Sequence, residues 1–201
     1  MDAPNSDLGF NVAQLLKEPV GSTRKLNLDT SALALADAGT GLDGTGAIDA
    51  RQVTGRAKVT RISDGLLVQG DVAAEVDIEC SRCLDRISLP VEGTLEEQFQ
   101  PTVDVMTGAP VDRAEYEAND AAFDIDTNHM MDLSEPVRQA LLVAMPMKPL
   151  CRADCKGLCP QCGANWNDGP CDCRNETVDS RWSGLRELRL DEFPAGDTSL
   201  N

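Results

Sequence analysis

Six of the chain's eight cysteines fall between residues 151 and 173, spaced Cys151-x3-Cys155-x3-Cys159-x2-Cys162-x8-Cys171-x-Cys173. The other two form the sequence Cys80-Ser-Arg-Cys83 far upstream. So dense a set of thiols constrains a fold more than any apolar run, because each must be bridged, ligated or kept inert. Compartment decides among these. The N-terminus "MDAPNSDLGF" has neither a basic start nor an apolar core, so it does not read as a signal peptide. No stretch approaches the roughly 20 apolar residues of a membrane helix. The expected location is therefore the cytoplasm, where thiols stay reduced and cysteine clusters point to metal or redox chemistry.

The sharpest piece is "CPQCG", Cys159 to Gly163. Two cysteines two residues apart bind one ion in a knuckle, and the residue after the second often needs the positive φ that glycine adopts freely. Cys171 and Cys173 complete a tetrahedron after a turn-rich "NWNDGP" loop. The remaining Cys80, Cys83, Cys151 and Cys155 then form a second quartet. Four soft thiolates favour Zn²⁺, with iron or an iron–sulfur cluster and disulfides as the alternatives. Cys80 and Cys83 also admit a plainer reading, as unligated residues at a strand end or a lone redox pair.

Four ligands leave an ion no open position, so such sites are structural and not catalytic. The only histidine is His129, an expected loop residue, so neither a His-based metal cage nor a nucleophile–base pair can be assembled. The expectation is a protein that binds and is not an enzyme. The glycine-rich "GTGLDGTGA" resembles a phosphate loop only superficially, lacking Lys followed by Ser or Thr.

Lys and Arg total 18 against 34 Asp and Glu, a formal charge of -16. Such a surface repels phosphate backbones and favours basic partners; the plainer reading is that it serves solubility alone. Residues 101–135 alone hold nine acids against the single Arg113. They read as a solvated loop anchored by "AAFDI" and "HMM". Positive charge is sparse. Arg51, Arg56, Lys58 and Arg61 run along one predicted strand, Arg82 and Arg86 flank the first cysteine pair, and Arg181, Arg186 and Arg189 mark a predicted terminal helix. Arg56, Lys58, Arg61, Arg181, Arg186 and Arg189 are the candidate nucleic-acid contacts, on charge alone. Trp166 is expected to pack on its metal site, since small metal modules need apolar cover.

Apolar residues make up 41% of the chain but aromatics only 3%, so the core must be aliphatic. "NVAQLLKEPV" suggests a short helix stopped near Pro19, and "GSTRKLNLDT" a strand. From Ile48 to Phe99 apolar and polar residues alternate, the pattern of an antiparallel meander with one wet face. Pro90 marks an edge or bulge there. "DLSEPVRQALLVAMP" spaces Leu133, Val137 and Leu141 as a helix, with Asp132 and Glu135 at capping-box distance. The predicted class is α+β: an antiparallel meander or small, partly open barrel covered by a helix, with a zinc-binding, cysteine-rich C-terminal module. The expected division is a core of residues 1–150, holding an acidic loop over 101–131 and the helix over 132–145, and a module of 151–190 docked on it.

Three stretches, "VDIECSRCLDRISLPVEGTLEEQF", "MPMKPLC" and "DCKGLCPQCGANWNDGPCDC", resemble the bacterial YceD family over roughly residues 15–190. That family is tied to accumulation of large-subunit (23S) ribosomal RNA. The resemblance implies a non-enzymatic factor in large-subunit biogenesis. Its expected partner is large-subunit rRNA or a basic large-subunit ribosomal protein, with no membrane and no small-molecule substrate. A thiol-redox role for Cys80 and Cys83 is the alternative.

Overall fold

The alternation of apolar and polar residues is realised as four long strands in a row. The structure, a computed structural model, describes residues 8–36, 48–111 and 122–173. In chain order the elements are β1 (Gly9–Asn11), α1 (Ala13–Lys17), β2 (Thr23–Ala36), β3 (Ile48–Ile62), β4 (Gly65–Glu79), β5 (Arg86–Pro101), β6 (Phe123–Ile125), β7 (Met130–Asp132) and α2 (Ser134–Ala144). The chain divides into two compact units, Met1–Cys155 and Lys156–Asn201. All of these elements belong to the first. No helix among the described residues is long and apolar enough to cross a membrane.

The first unit is a seven-stranded sheet ordered β1-β7-β6-β5-β4-β3-β2, curled into a half-barrel. From β2 to β5 it is the expected antiparallel meander. It then becomes mixed, because β6 joins β5 in parallel at Phe99 to Pro101. The anchors "AAFDI" and "HMM" therefore contribute the short strands β6 and β7, and β1 closes the row by pairing with β7. Pro90 lies where β5 has β4 on one side and, among the described residues, no strand on the other. That is a local edge, where a missing N–H costs no ladder bond.

Side chains on the inner face bury Val53, Ala57 and Val59 of β3, Leu66, Val68, Val72 and Val76 of β4, and Val91, Leu95 and Phe99 of β5. The alternation slips once. Ala50 and Val53 are both buried although three residues apart, because Gln52 takes a positive φ of 50° and the register with β4 shifts between Arg51 and Thr54. A bulge of this kind turns the strand over by one residue and adds curl to the sheet.

α2 covers the inner face, touching β5, β2 and β4. Leu133, Val137 and Leu141 are fully buried, each contributing about 1.5–3 kcal/mol by removing apolar surface from water. Close approach needs Gly93. A Cβ there would meet the Ala140 carbonyl oxygen at 2.8 Å and the Ala140 Cβ at 3.3 Å. The capping box does not form as expected. The Asp132 carboxylate accepts the Ser134 N–H at 2.9 Å, while Glu135 turns to the Arg138 guanidinium and the Gln139 amide. Leu133 stands at the N-cap with no side-chain cap bond, and its own N–H is donated to the Leu8 carbonyl.

Candidate metal centres

The β4–β5 hairpin ends in the first cysteine pair. Leu84 N–H donates to the Cys80 carbonyl at 3.0 Å, and Cys80 N–H to the Asp85 carbonyl at 2.9 Å. The turn forces Leu84 to a φ of 61°, a left-handed conformation uncommon outside glycine. Two bonds tie this hairpin to the segment after α2. Ser81 N–H donates to the Pro149 carbonyl at 2.8 Å, and the Arg82 guanidinium to the Cys155 carbonyl at 2.7 Å. The result gathers Cys80, Cys83, Cys151 and Cys155, with all four sulfurs within 4.8 Å of one another.

Cys80 and Cys155 sulfurs are 3.9 Å apart, and those of Cys83 and Cys151 3.6 Å. A tetrahedral ion with metal–sulfur bonds of about 2.3 Å holds its sulfurs about 3.8 Å apart. A disulfide would need roughly 2 Å. The quartet is thus shaped for one ion, and a multi-iron cluster would hold its cysteines farther apart. Cys80, Cys83 and Cys155 are buried and Cys151 is exposed.

The second quartet is Cys159, Cys162, Cys171 and Cys173, again within 4.8 Å, and it lies wholly in the second unit. Its knuckle has the expected form. Gly163 takes a φ of 73° and donates its N–H to the Cys159 carbonyl at 2.9 Å, while Cys159 N–H reaches the Ala164 carbonyl. Asn165 and Asn167 shape the connecting loop, each accepting backbone N–H groups on its side-chain oxygen. Trp166 does more than cover the site. Its indole N–H points at the Cys171 sulfur, 3.4 Å away.

The electrostatics suit ligation. Burial pushes the Cys80 thiol up, but backbone N–H groups of Cys83, Arg82 and Cys151 outweigh it and bring the group down to about 6. Cys83 moves upward. The backbone at Asp85 would lower it, yet burial, the Asp85 carboxylate at 3.2 Å and the neighbouring thiols prevail. In the second quartet the Trp166 indole is the main cause of a Cys171 thiol lowered to about 6. Cys173 is raised to about 12, chiefly by its hydrogen bond with Cys162. Each quartet thus contains a thiol ready to ionise and neighbours that share protons until a cation displaces them.

All eight predicted ligands are gathered as the two quartets the spacing suggested. The division between units falls after Cys155, so Cys151 and Cys155 group with the sheet. The candidate cations fare differently. Arg56 and Lys58 are exposed on the outer face of β3, where Arg56 faces Asp71 and Asn27, and Lys58 faces Lys25 and Gln69. Arg61 is turned into the β3–β4 turn, donating to the Ile62 and Gly65 carbonyls at 2.6 and 2.8 Å. Arg51 pairs with Asp77 at 2.6 Å. Arg181, Arg186 and Arg189 with their predicted helix, Arg113, and the "GTGLDGTGA" loop lie outside the described residues. The inter-segment ties through Ser81 and Arg82 escaped the sequence reading. Their only signal was proximity to cysteines.

The profile of the family described as "Large ribosomal RNA subunit accumulation protein YceD" matches residues 68–189. An uncharacterised protein of Mycobacterium tuberculosis is 34% identical over 131 residues, which cover 65% of this chain and 59% of the relative. One from Mycobacterium leprae is 27% identical over 137 residues, 68% of this chain and 59% of the relative. A protein of Arabidopsis thaliana named "Large ribosomal RNA subunit accumulation protein YCED homolog 1, chloroplastic" is 36% identical over 59 residues, 29% of this chain and 18% of that protein. The matched stretch thus spans about three fifths of the mycobacterial relatives' length. No solved structure matches. With more than half of its residues inside the matched region, the chain belongs to the YceD family.

Proposed function

We propose that this protein is a non-enzymatic factor supporting the accumulation of large-subunit (23S) rRNA, and hence large ribosomal subunit biogenesis, in the cytoplasm. In this reading it works by binding rRNA or a basic large-subunit ribosomal protein, and each cysteine quartet holds one structural Zn²⁺. The observation that carries the reading is the pair of closed four-thiolate sites, since an ion with four protein ligands shapes a surface and leaves no position for substrate. Family membership supplies the biological setting. The sheet supplies surfaces. Asp71, Glu75, Asp77, Glu92 and Glu96 are exposed on β4 and β5 toward a basic partner, and Arg56 and Lys58 on β3 are the cations nearest to hand for RNA.

Depletion should lower large-subunit rRNA relative to small-subunit rRNA, and crosslinking from growing cells should recover large-subunit components. An unchanged rRNA ratio would remove the reading. The rival thiol-redox role finds support in the lowered Cys80 thiol beside Cys83. Two zinc ions per chain with all eight thiols shielded from alkylation would eliminate it.

A further inference from the structure

One side of β2 is bonded to β3, and among the described residues no strand pairs with the other side. An open edge of this length presents a row of N–H and C=O groups as a template for another strand. We propose that this edge pairs with the same edge of a second copy of the chain, antiparallel and centred on Asn27.

The backbone phase comes first. The Ser22 carbonyl accepts the Arg61 N–H at 2.8 Å, and the β2–β3 partners then follow one another without a gap from Thr23 to Thr30. Even-numbered residues therefore bond to β3. Thr23, Lys25, Asn27 and Asp29 turn their N–H and C=O outward. A two-fold pairing about Asn27 joins Lys25, Asn27 and Asp29 of the two copies in roughly six hydrogen bonds.

The side chains supply the choice of partner. A two-fold interface must be self-complementary, and the segment Thr23–Ser31 is. About Asn27, Thr23 lies opposite Ser31, Lys25 opposite Asp29, and Leu26 opposite Leu28, while Asn27 meets itself. The polar members are exposed on the outer face, and Leu26 is half-buried on the inner face. Lys25 also has an unsettled neighbour within its own chain, because Lys58 stands directly across from it on β3. Like charges in that position repel. A carboxylate arriving from the open side, Asp29 of the second copy, relieves the repulsion at both ends of the interface.

The helix leaves room. Arg138 of α2 donates to the Leu35 carbonyl at 3.0 Å, at the far end of β2. In a pairing centred on Asn27, Leu35 falls opposite Pro19, which precedes the strand, so the covered end stays outside the interface.

Light scattering and sedimentation of the full chain test the proposal. The wild type is expected at twice the 21.6 kDa chain mass. Lys25→Asp and Asp29→Lys should each weaken the dimer by roughly tenfold or more, since each turns two attractive pairs into two repulsive ones. The double variant swaps the pairs and should restore the dimer. Lys25→Asp also places a carboxylate across from Lys58, so its melting temperature should hold or rise, which separates loss of pairing from loss of folding. A monomeric wild type overturns the proposal, as does a dimer that neither single variant weakens. So does a monomer whose Lys25, Asn27 and Asp29 amides resist hydrogen exchange, because another segment of the same chain would then cover the edge. None of these outcomes depends on the rRNA reading.

Discussion

Replacing Cys151 and Cys155 together with serine cuts the tie between the β4–β5 hairpin and the segment after α2. An ion held by this quartet would link Cys83 to Cys151 across 68 residues of chain. Treated as a crosslink, closing a loop of that length restricts the unfolded chain by about 4 kcal/mol. In a unit of this size each 1 kcal/mol moves the melting temperature by about 2–4 °C, so the double variant should melt about 8–16 °C lower. The parallel change in the second quartet, Cys171→Ser with Cys173→Ser, opens a loop of only eight intervening residues between Cys162 and Cys171, worth about 2.5 kcal/mol. All of its ligands lie in the second unit, so the melting of the first should stay put. Calorimetry together with metal content by mass spectrometry reads both effects. Wild type should carry two ions per chain and each double variant one. Two ions retained in the Cys151/Cys155 variant, or a melting shift below about 2 °C, would refute the assignment of those four sulfurs to one load-carrying centre.

Trp166→Phe keeps the ring but removes the indole N–H at the Cys171 sulfur, so chelator competition should show the second site losing metal about 10- to 100-fold more readily, with the first unaffected. Gly93→Ala drives a methyl against the Ala140 carbonyl, and urea unfolding should show a loss of about 1–3 kcal/mol. Glu135 is held at about 2, mainly by the hydrogen bond from Arg138. Its folded value lies below the unfolded one, so its contribution is complete above about 4.5 and fades as pH falls toward 2. The pair is half exposed, which keeps the effect under about 1 kcal/mol. The stability difference between wild type and Glu135→Gln should accordingly shrink as pH falls through that window.

Local pattern carried much of the fold. Strands β3, β4 and β5 were legible because every second side chain must face either water or the core, and that alternation is written residue by residue. The α2 helix was legible through the spacing of Leu133, Val137 and Leu141. The Cys159–Gly163 knuckle was too, because the tight turn of a two-residue spacer admits few backbones and asks for glycine at its end. Where the alternation breaks, at the bulge at Gln52, the sequence shows only an irregularity whose cause is the neighbouring strand. Arg61 looked like its neighbours Arg56 and Lys58 in sequence. Its different surroundings, in the β3–β4 turn, follow from the hairpin geometry.

By itself, then, the sequence determined that thiols gather in short-spaced pairs and that one meander carries most of the sheet, since both follow from contacts a few residues apart. The grouping of Cys80 and Cys83 with Cys151 and Cys155 was open to ligand counting, but only the tertiary structure brought their sulfurs within 4.8 Å and decided that Gly9–Asn11 closes the sheet against Met130–Asp132. Those pairings bring together groups about 70 and 120 residues apart in the chain. No local preference specifies them, because the entropy lost in closing such loops is regained only when the whole inner face packs at once.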